Sequence, residues 1–169
     1  MDVDISIESE KWAAHPELGR FLARAARKAV EVGGLQVDHH AELSIVLAGD
    51  GFVRRLNRAY LGRDSATNVL SFPQEAAAAG EGRRLLGDIA LAYETVARQA
   101  AAAGKPLEHH AAHLVIHGLL HLFGYDHDCD EKATEMEDIE RAVLKALAIP
   151  DPYAPNEAQS EPAVLGPAS

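Results

Sequence analysis

The sequence predicts an α+β fold, a four-stranded sheet packed with helices, in which a His-x3-His helix is followed by a turn and a C-terminal helix. Three observations carry the prediction. Short apolar segments of strand length and composition occur at four places. Helix-period apolar stripes lie between and after them, so helices pack on the sheet. From Pro150 the periodicity stops and the chain becomes rich in Pro and Ala, which makes residues 1–149 one domain and 150–169 a disordered tail.

Each element follows from a local signal. Val3 to Ile7 alternates apolar and polar residues and reads as a strand. Pro16 opens a helical stripe through Leu18, Phe21, Leu22, Ala25, Ala26, Ala29 and Val30, and Gly33-Gly34 ends it. Glu42 to Leu47 is the second strand. Asp50 is placed to cap a helix carrying Val53, Leu56 and Asn57. Asn68 to Phe72 and Leu85 to Leu91 are two further strands, joined by an Ala/Gly-rich connection over Ala76–Glu81. A helix over Thr95–Ala103 is broken by Gly104-Lys105-Pro106. The next runs from Leu107 to Phe123. The last starts near Glu131, carries Met136, Ile139, Val143, Leu144 and Leu147, and has Asp128, Asp130 and Glu131 at its start as capping acids.

Composition narrows the class. A chain of 169 residues at 47% hydrophobic can bury one good core. The single cysteine, Cys129, excludes an intramolecular disulfide framework. Met1-Asp2-Val3-Asp4 is acidic rather than a secretory signal, and no apolar run approaches the ~20 residues of a membrane span. The expectation is a cytoplasmic protein with no membrane contact.

The chemistry concentrates in His117-Gly118-Leu119-Leu120-His121-Leu122-Phe123-Gly124-Tyr125-Asp126-His127. Histidines four apart on a helix lie roughly 40° apart around the axis and about 6 Å along it, hence on one face. Gly124 can take the left-handed backbone that ends a helix and return His127 toward the same point. Leu114, Val115, Ile116, Leu119, Leu120, Leu122 and Phe123 surround the histidines, and an all-apolar helix is a buried one. Buried imidazoles need hydrogen-bond or metal partners. His117, His121 and His127 are therefore candidate ligands of one Zn2+ per chain. With three neutral ligands the ion keeps its charge and an open position, the pattern of catalytic zinc. Cys129 reads as packing rather than as a fourth ligand.

Neighbouring residues divide into helpers and bystanders. Asp126 either accepts the other ring proton of His127, as carboxylates behind metal-bound histidines do, or caps the turn. His113, four before His117, is a further ligand, a supporting group or a proton donor, or an ordinary satisfied histidine. His109 and His110 read as solvated, Asn57 and Asn68 as loop-holding groups, and Trp12 and Tyr60 as core or interface rather than base-stacking platforms.

Zinc peptidases with the His-Glu-x-x-His helix use that glutamate as general base. This segment reproduces the longer His-Glu-x-x-His-x-x-Gly-x-x-His pattern except at the glutamate, where Gly118 stands. A glycine takes no proton from water.

The run HGLLHLFGYDH resembles the metal motif of the YbeY family of bacterial endoribonucleases. Leu56-Asn57 through Asp64 with Thr67-Asn68-Val69-Leu70-Ser71-Phe72-Pro73, then Leu86-Gly87-Asp88-Ile89, then Met136-Glu137 and Glu140, resemble its other blocks in the family's order. The resemblance implies a single-strand-specific, metal-dependent endoribonuclease of 16S rRNA 3′-end maturation and ribosome quality control. Its implied partners are precursor 16S rRNA, the small ribosomal subunit, and a ribosomal protein or assembly GTPase. It keeps His113 as a catalytic candidate. The family's Tyr-Arg-Gly pattern has arginine where this chain has Leu61, and Arg63 is the candidate to supply that catalytic charge.

The net charge of −10 is unusual for an RNA binder, but its distribution is uneven. Residues 51–105 hold eight Arg/Lys against five Asp/Glu, whereas residues 126–140 hold eight acids against Lys132. Composition alone makes Arg54, Arg55, Arg58, Arg63, Arg83 and Arg84 a solvated face. The resemblance makes them phosphate contacts. Two alternatives stand: a metzincin-like zinc peptidase, for which Met136 would be the methionine turn, and a non-catalytic ribosome-assembly factor with a structural zinc.

Overall fold

The structure, a computed structural model, describes residues 1–65, 67–73, 84–126 and 128–153. Four strands, β1 (Asp2–Ile7), β2 (Ala41–Ala48), β3 (Val69–Pro73) and β4 (Arg84–Ala92), form one sheet in the order β1-β2-β4-β3. The first three in that order run parallel, and β3 pairs antiparallel with β4 at the edge. The helices are α1 (Leu18–Gly33), α2 (Asp50–Leu61), α3 (Tyr93–Ala102), α4 (Leu107–Leu122) and α5 (Asp130–Ala146), with a 3-10 turn over Glu10–Ala14. These elements match the sequence expectation to within a few residues at each end. The expected Ala76–Glu81 connection lies outside the described residues.

Strand alternation sorts the apolar residues onto two faces. Leu43, Ile45, Leu47, Val69, Ile89 and Leu91 point to the larger core, with α1, α4 and α5. Ala48, Leu70, Ala90 and Ala92 point the other way, where Val53, Phe52 and Leu56 of α2 cover them. Trp12 is core, as expected, and donates its indole N–H to the Ala48 carbonyl at 2.8 Å.

Asp50 does not cap its own helix. The N-cap of α2 is Gly49, and the Asp50 carboxylate instead accepts from the N–H and hydroxyl of Thr95, at 3.0 and 2.9 Å, in the first turn of α3. Glu94 of α3 returns the contact by accepting the Asp50 N–H at 2.8 Å, and Lys11 donates to its other oxygen at 2.6 Å. The two helix starts thus satisfy each other's unpaired donors, a capping box built across elements rather than within one. The acids expected to cap α5 are likewise displaced. Cys129 is its N-cap residue and is exposed, not packed, while Asp130 and Glu131 occupy the first turn, where negative charge suits the helix dipole.

The tail expected to be disordered from residue 150 begins with a docked turn. Tyr153 folds back onto α5, its hydroxyl donating to Glu140 and its ring meeting His113 edge-on at 5.5 Å. Residues 154–169 lie outside the described residues. Among the described residues no helix is long and apolar enough to cross a membrane.

Candidate metal centre

α4 runs through the centre of the larger core, buried at every residue from His110 to Leu120. It therefore has no solvated face on which to place its histidines, and each must find a partner inside the protein. His117 and His121 lie on one face with ring centroids 4.5 Å apart and planes at 86°. His117 Nδ1 lies 2.8 Å from Glu140 Oε2 and His121 Nδ1 lies 2.9 Å from the carbonyl of Tyr125. A carbonyl or a carboxylate can only accept, so both Nδ1 atoms carry the proton. Their Nε2 atoms face one another 3.1 Å apart.

Two imidazole nitrogens at that separation either share a proton in an N–H···N hydrogen bond or converge on a cation. Zinc–nitrogen bonds of about 2.05 Å at tetrahedral angles separate two ligand nitrogens by about 3.3 Å. The pair thus fits a small divalent cation, with each ring held from behind by an acceptor, as metal-bound histidines require. His127, the expected third ligand, lies outside the described residues, and no group of three candidate ligands converges among the described ones. The turn that precedes it in the chain is described. α4 ends at Leu122, Gly124 takes the left-handed φ of +94°, and the Tyr125 N–H closes the turn on the Leu120 carbonyl. Asp126 accepts the Asp128 N–H at 3.1 Å across the position of His127. Asp126 thus caps the turn, and that hydrogen bond holds its carboxyl below the usual carboxylate range.

Glu140 is the group that the sequence reading left without a role. It comes from α5, is wholly buried, and gathers three donors: His117 Nδ1, His113 Nε2 at 2.9 Å and the Tyr153 hydroxyl. Burial alone would raise its pKa, but the hydrogen bonds from His113 and His117 outweigh that and hold it far below the carboxylate range. His113 is accordingly fixed against this carboxylate, one step behind the nitrogen pair rather than at it. The signal in the sequence was an acid at a core position of the last helix, where the neighbouring stripe is Met136, Val143 and Leu144.

His110, expected to be solvated, is 3% exposed. Its Nε2 donates to Gln99 Oε1 at 2.9 Å, and Asn68 donates to the same oxygen at 3.0 Å. Burial, with help from the Lys105 and His113 charges, pushes its pKa down to about 3. Asn57 holds the loop after α2 through the Ser65 carbonyl at 3.0 Å. Arg63 is exposed on that loop, after a helix on the opposite sheet face from α4. Its neighbour Asp64 pairs with Arg54 at 2.7 Å.

Gly118 faces the sheet. A Cβ there would stand 3.3 Å from Ile89 Cγ2, in a fully buried part of β4. The glycine lets the helix approach the strand, and the position that carries the peptidase base in other proteins points here into the core. Met136 is buried inside α5, not in a turn.

The family model for Endoribonuclease YbeY matches residues 5–148. The chain belongs to the YbeY family. An Endoribonuclease YbeY of Rhodopseudomonas palustris is 46% identical over 89% of this chain and 80% of its own length. Those of Nitrobacter hamburgensis and Azorhizobium caulinodans are 46% and 45% identical, over 91% of this chain in each case and 83% and 97% of theirs. The solution structure of TM1509 from Thermotoga maritima shares the fold, with a TM-score of 0.52 at 22% identity over 86% of this chain and 91% of that one.

Proposed function

We propose that this chain is a metal-dependent endoribonuclease acting on single-stranded RNA, with precursor 16S rRNA of the small ribosomal subunit as its substrate and the cytoplasm as its place of action. A ribosomal protein or assembly GTPase is its proposed partner in 3′-end maturation and quality control. Family membership supports the reaction class. The observation that carries the site is the pair of Nε2 atoms 3.1 Å apart, each ring oriented from behind by a fixed acceptor. In this reading His117, His121 and His127 hold one Zn2+.

A cation bound there supplies Lewis acidity at a phosphoryl oxygen. The protein's own groups do the rest by position. Glu140 fixes the tautomer and orientation of His117, and the Tyr125 carbonyl does so for His121. Glu140 itself is an unsuitable general base, since it is buried and its oxygens already accept three hydrogen bonds. Gly118 offers none. RNA meets that lack by carrying its own nucleophile, the 2′-hydroxyl, so a protein carboxylate to activate water is not required. Arg63 remains the proposed source of charge for the phosphoryl group in place of Leu61.

The test is cleavage of precursor 16S RNA by purified protein beside His121→Ala, with metal content measured in both. Metal-bound wild type cuts and His121→Ala neither binds metal nor cuts; 2′,3′-cyclic phosphate ends identify the internal nucleophile. Folded, metal-loaded wild type that leaves RNA intact would sink the enzyme reading and favour the assembly factor with a structural zinc.

A further inference from the structure

Tyr60, expected in the core or an interface rather than as a base-stacking platform, is not in the core: it is 69% exposed, at the last turn of α2. Its ring lies over Phe72 of β3, with centroids 5.4 Å apart and planes at 56°, and the adjacent Leu61 is 45% exposed. Among the described residues β3 pairs only with β4, and the exposed Tyr60 ring beside it offers a face to a partner.

Charge around it selects the occupant. Arg54, Arg55, Arg58 and Arg63 are exposed along and just beyond the same helix, in a chain whose net charge is −10. Arg54 is tied to Asp64, and Arg55 lies 5.8 Å from the Phe52 ring centre. A partner for this surface has flat apolar faces and regularly spaced negative charge. Single-stranded nucleic acid has both, and in a duplex the base faces are already stacked on each other.

Position ties the surface to the metal centre. Gly87 adopts φ +155°, and a Cβ there would meet the Phe72 carbonyl at 2.4 Å and Leu122 Cδ2 at 2.9 Å. The strand that carries Phe72 therefore borders α4 one residue past His121. A strand leaving the nitrogen pair need only pass over the β3 edge to reach Tyr60.

We infer that Tyr60, backed by Phe72 and flanked by Arg55, Arg58 and Arg63, is a stacking platform for a base of single-stranded RNA beside the cleavage site. This rests on the endoribonuclease reading and adds to it a physical reason for single-strand preference.

The experiment measures binding of fluorescein-labelled 2′-O-methyl oligouridine, which lacks the internal nucleophile, to metal-loaded full-length chain. An abasic oligomer of equal length supplies the same phosphates without bases. Wild type is expected to prefer the oligouridine, and Tyr60→Ala to lose at least about fivefold in affinity for it while binding the abasic oligomer as wild type does. Tyr60→Trp should keep the preference, and because Trp12 is buried its new fluorescence should be quenched on binding. Equal affinities of wild type and Tyr60→Ala for oligouridine would overturn the inference, as would failure of wild type to bind either oligomer. Parallel cleavage of precursor RNA separates the two readings. Cleavage without a Tyr60 effect removes the platform alone, and a Tyr60 effect without cleavage removes the nuclease alone.

Discussion

Glu140 accepts from two histidines and a tyrosine while wholly buried, so its removal leaves three donors facing a void. A buried donor left without its acceptor costs roughly 1–3 kcal/mol, so Glu140→Ala, which strands three, should lose on the order of 3 kcal/mol or more in urea unfolding. Glu140→Gln keeps the shape but offers one acceptor oxygen instead of two, so either His117 or the His113–Tyr153 side loses its partner. Metal affinity, read by competition with a chelator, should fall about 10–100-fold in Glu140→Gln. Unchanged affinity would mean that the carboxylate supports the fold but not the ligand. Gly118 makes the opposite case, where absence of a side chain is the requirement. Gly118→Glu restores the peptidase pattern yet forces a carboxylate against Ile89. It should lose at least about 1–3 kcal/mol from overpacking alone and gain no caseinolysis. A stable, proteolytic Gly118→Glu protein would revive the peptidase reading.

At the level of elements, α2 and α3 are held together by the reciprocal caps of Asp50 and Glu94. Loss of a cap costs about 1 kcal/mol, and each of Asp50→Ala and Glu94→Ala should lose roughly that. Because each carboxylate serves the other's helix, the double variant should fall short of the sum by about 0.5 kcal/mol or more. Additive losses would mean two independent caps. This arrangement also shows where sequence reading stops. Periodicity and breaker residues placed the four strands and five α-helices but not the 3-10 turn over Glu10–Ala14, because burial of one face is written in local spacing, and the Gly124 turn followed from backbone sterics. An acid at a helix start reads as that helix's own cap, and only the fold brings Asp50 to α3. Tyr60 escaped for the same reason, since an aromatic near a helix end gives no sign of which way the face turns. Glu140 was visible as a core-position acid, but its partners lie 23 and 27 residues away.

Taken over the whole molecule, the depressed groups share one sign. His110 sits below its ordinary 6.5, at about 3, because burial favours the neutral ring. Glu94 is held at about 2, first by the Lys11 hydrogen bond and then by the Asp50 N–H, and Glu140 is also held low. In each case the unfolded chain binds more protons than the folded one, so stability rises with pH. The windows differ. The carboxylates contribute fully above about 4.5 and lose that contribution only below it, whereas the His110 contribution is complete above 6.5 and falls away from there toward 3. A decline between pH 7 and 5 is thus a histidine effect, and of these three groups only His110 produces it. One unit below the unfolded value it amounts to about 1 kcal/mol. Metal-free protein is the material to use, since protons would otherwise compete with the cation at His117 and His121. His110→Gln can still donate to Gln99 but does not titrate. Its unfolding free energy should therefore fall less than that of wild type between pH 7 and 5.5, by about 1 kcal/mol. Parallel curves for the two proteins would show that His110 is charged in the fold, and that the buried Asn68–Gln99–His110 chain opens to water.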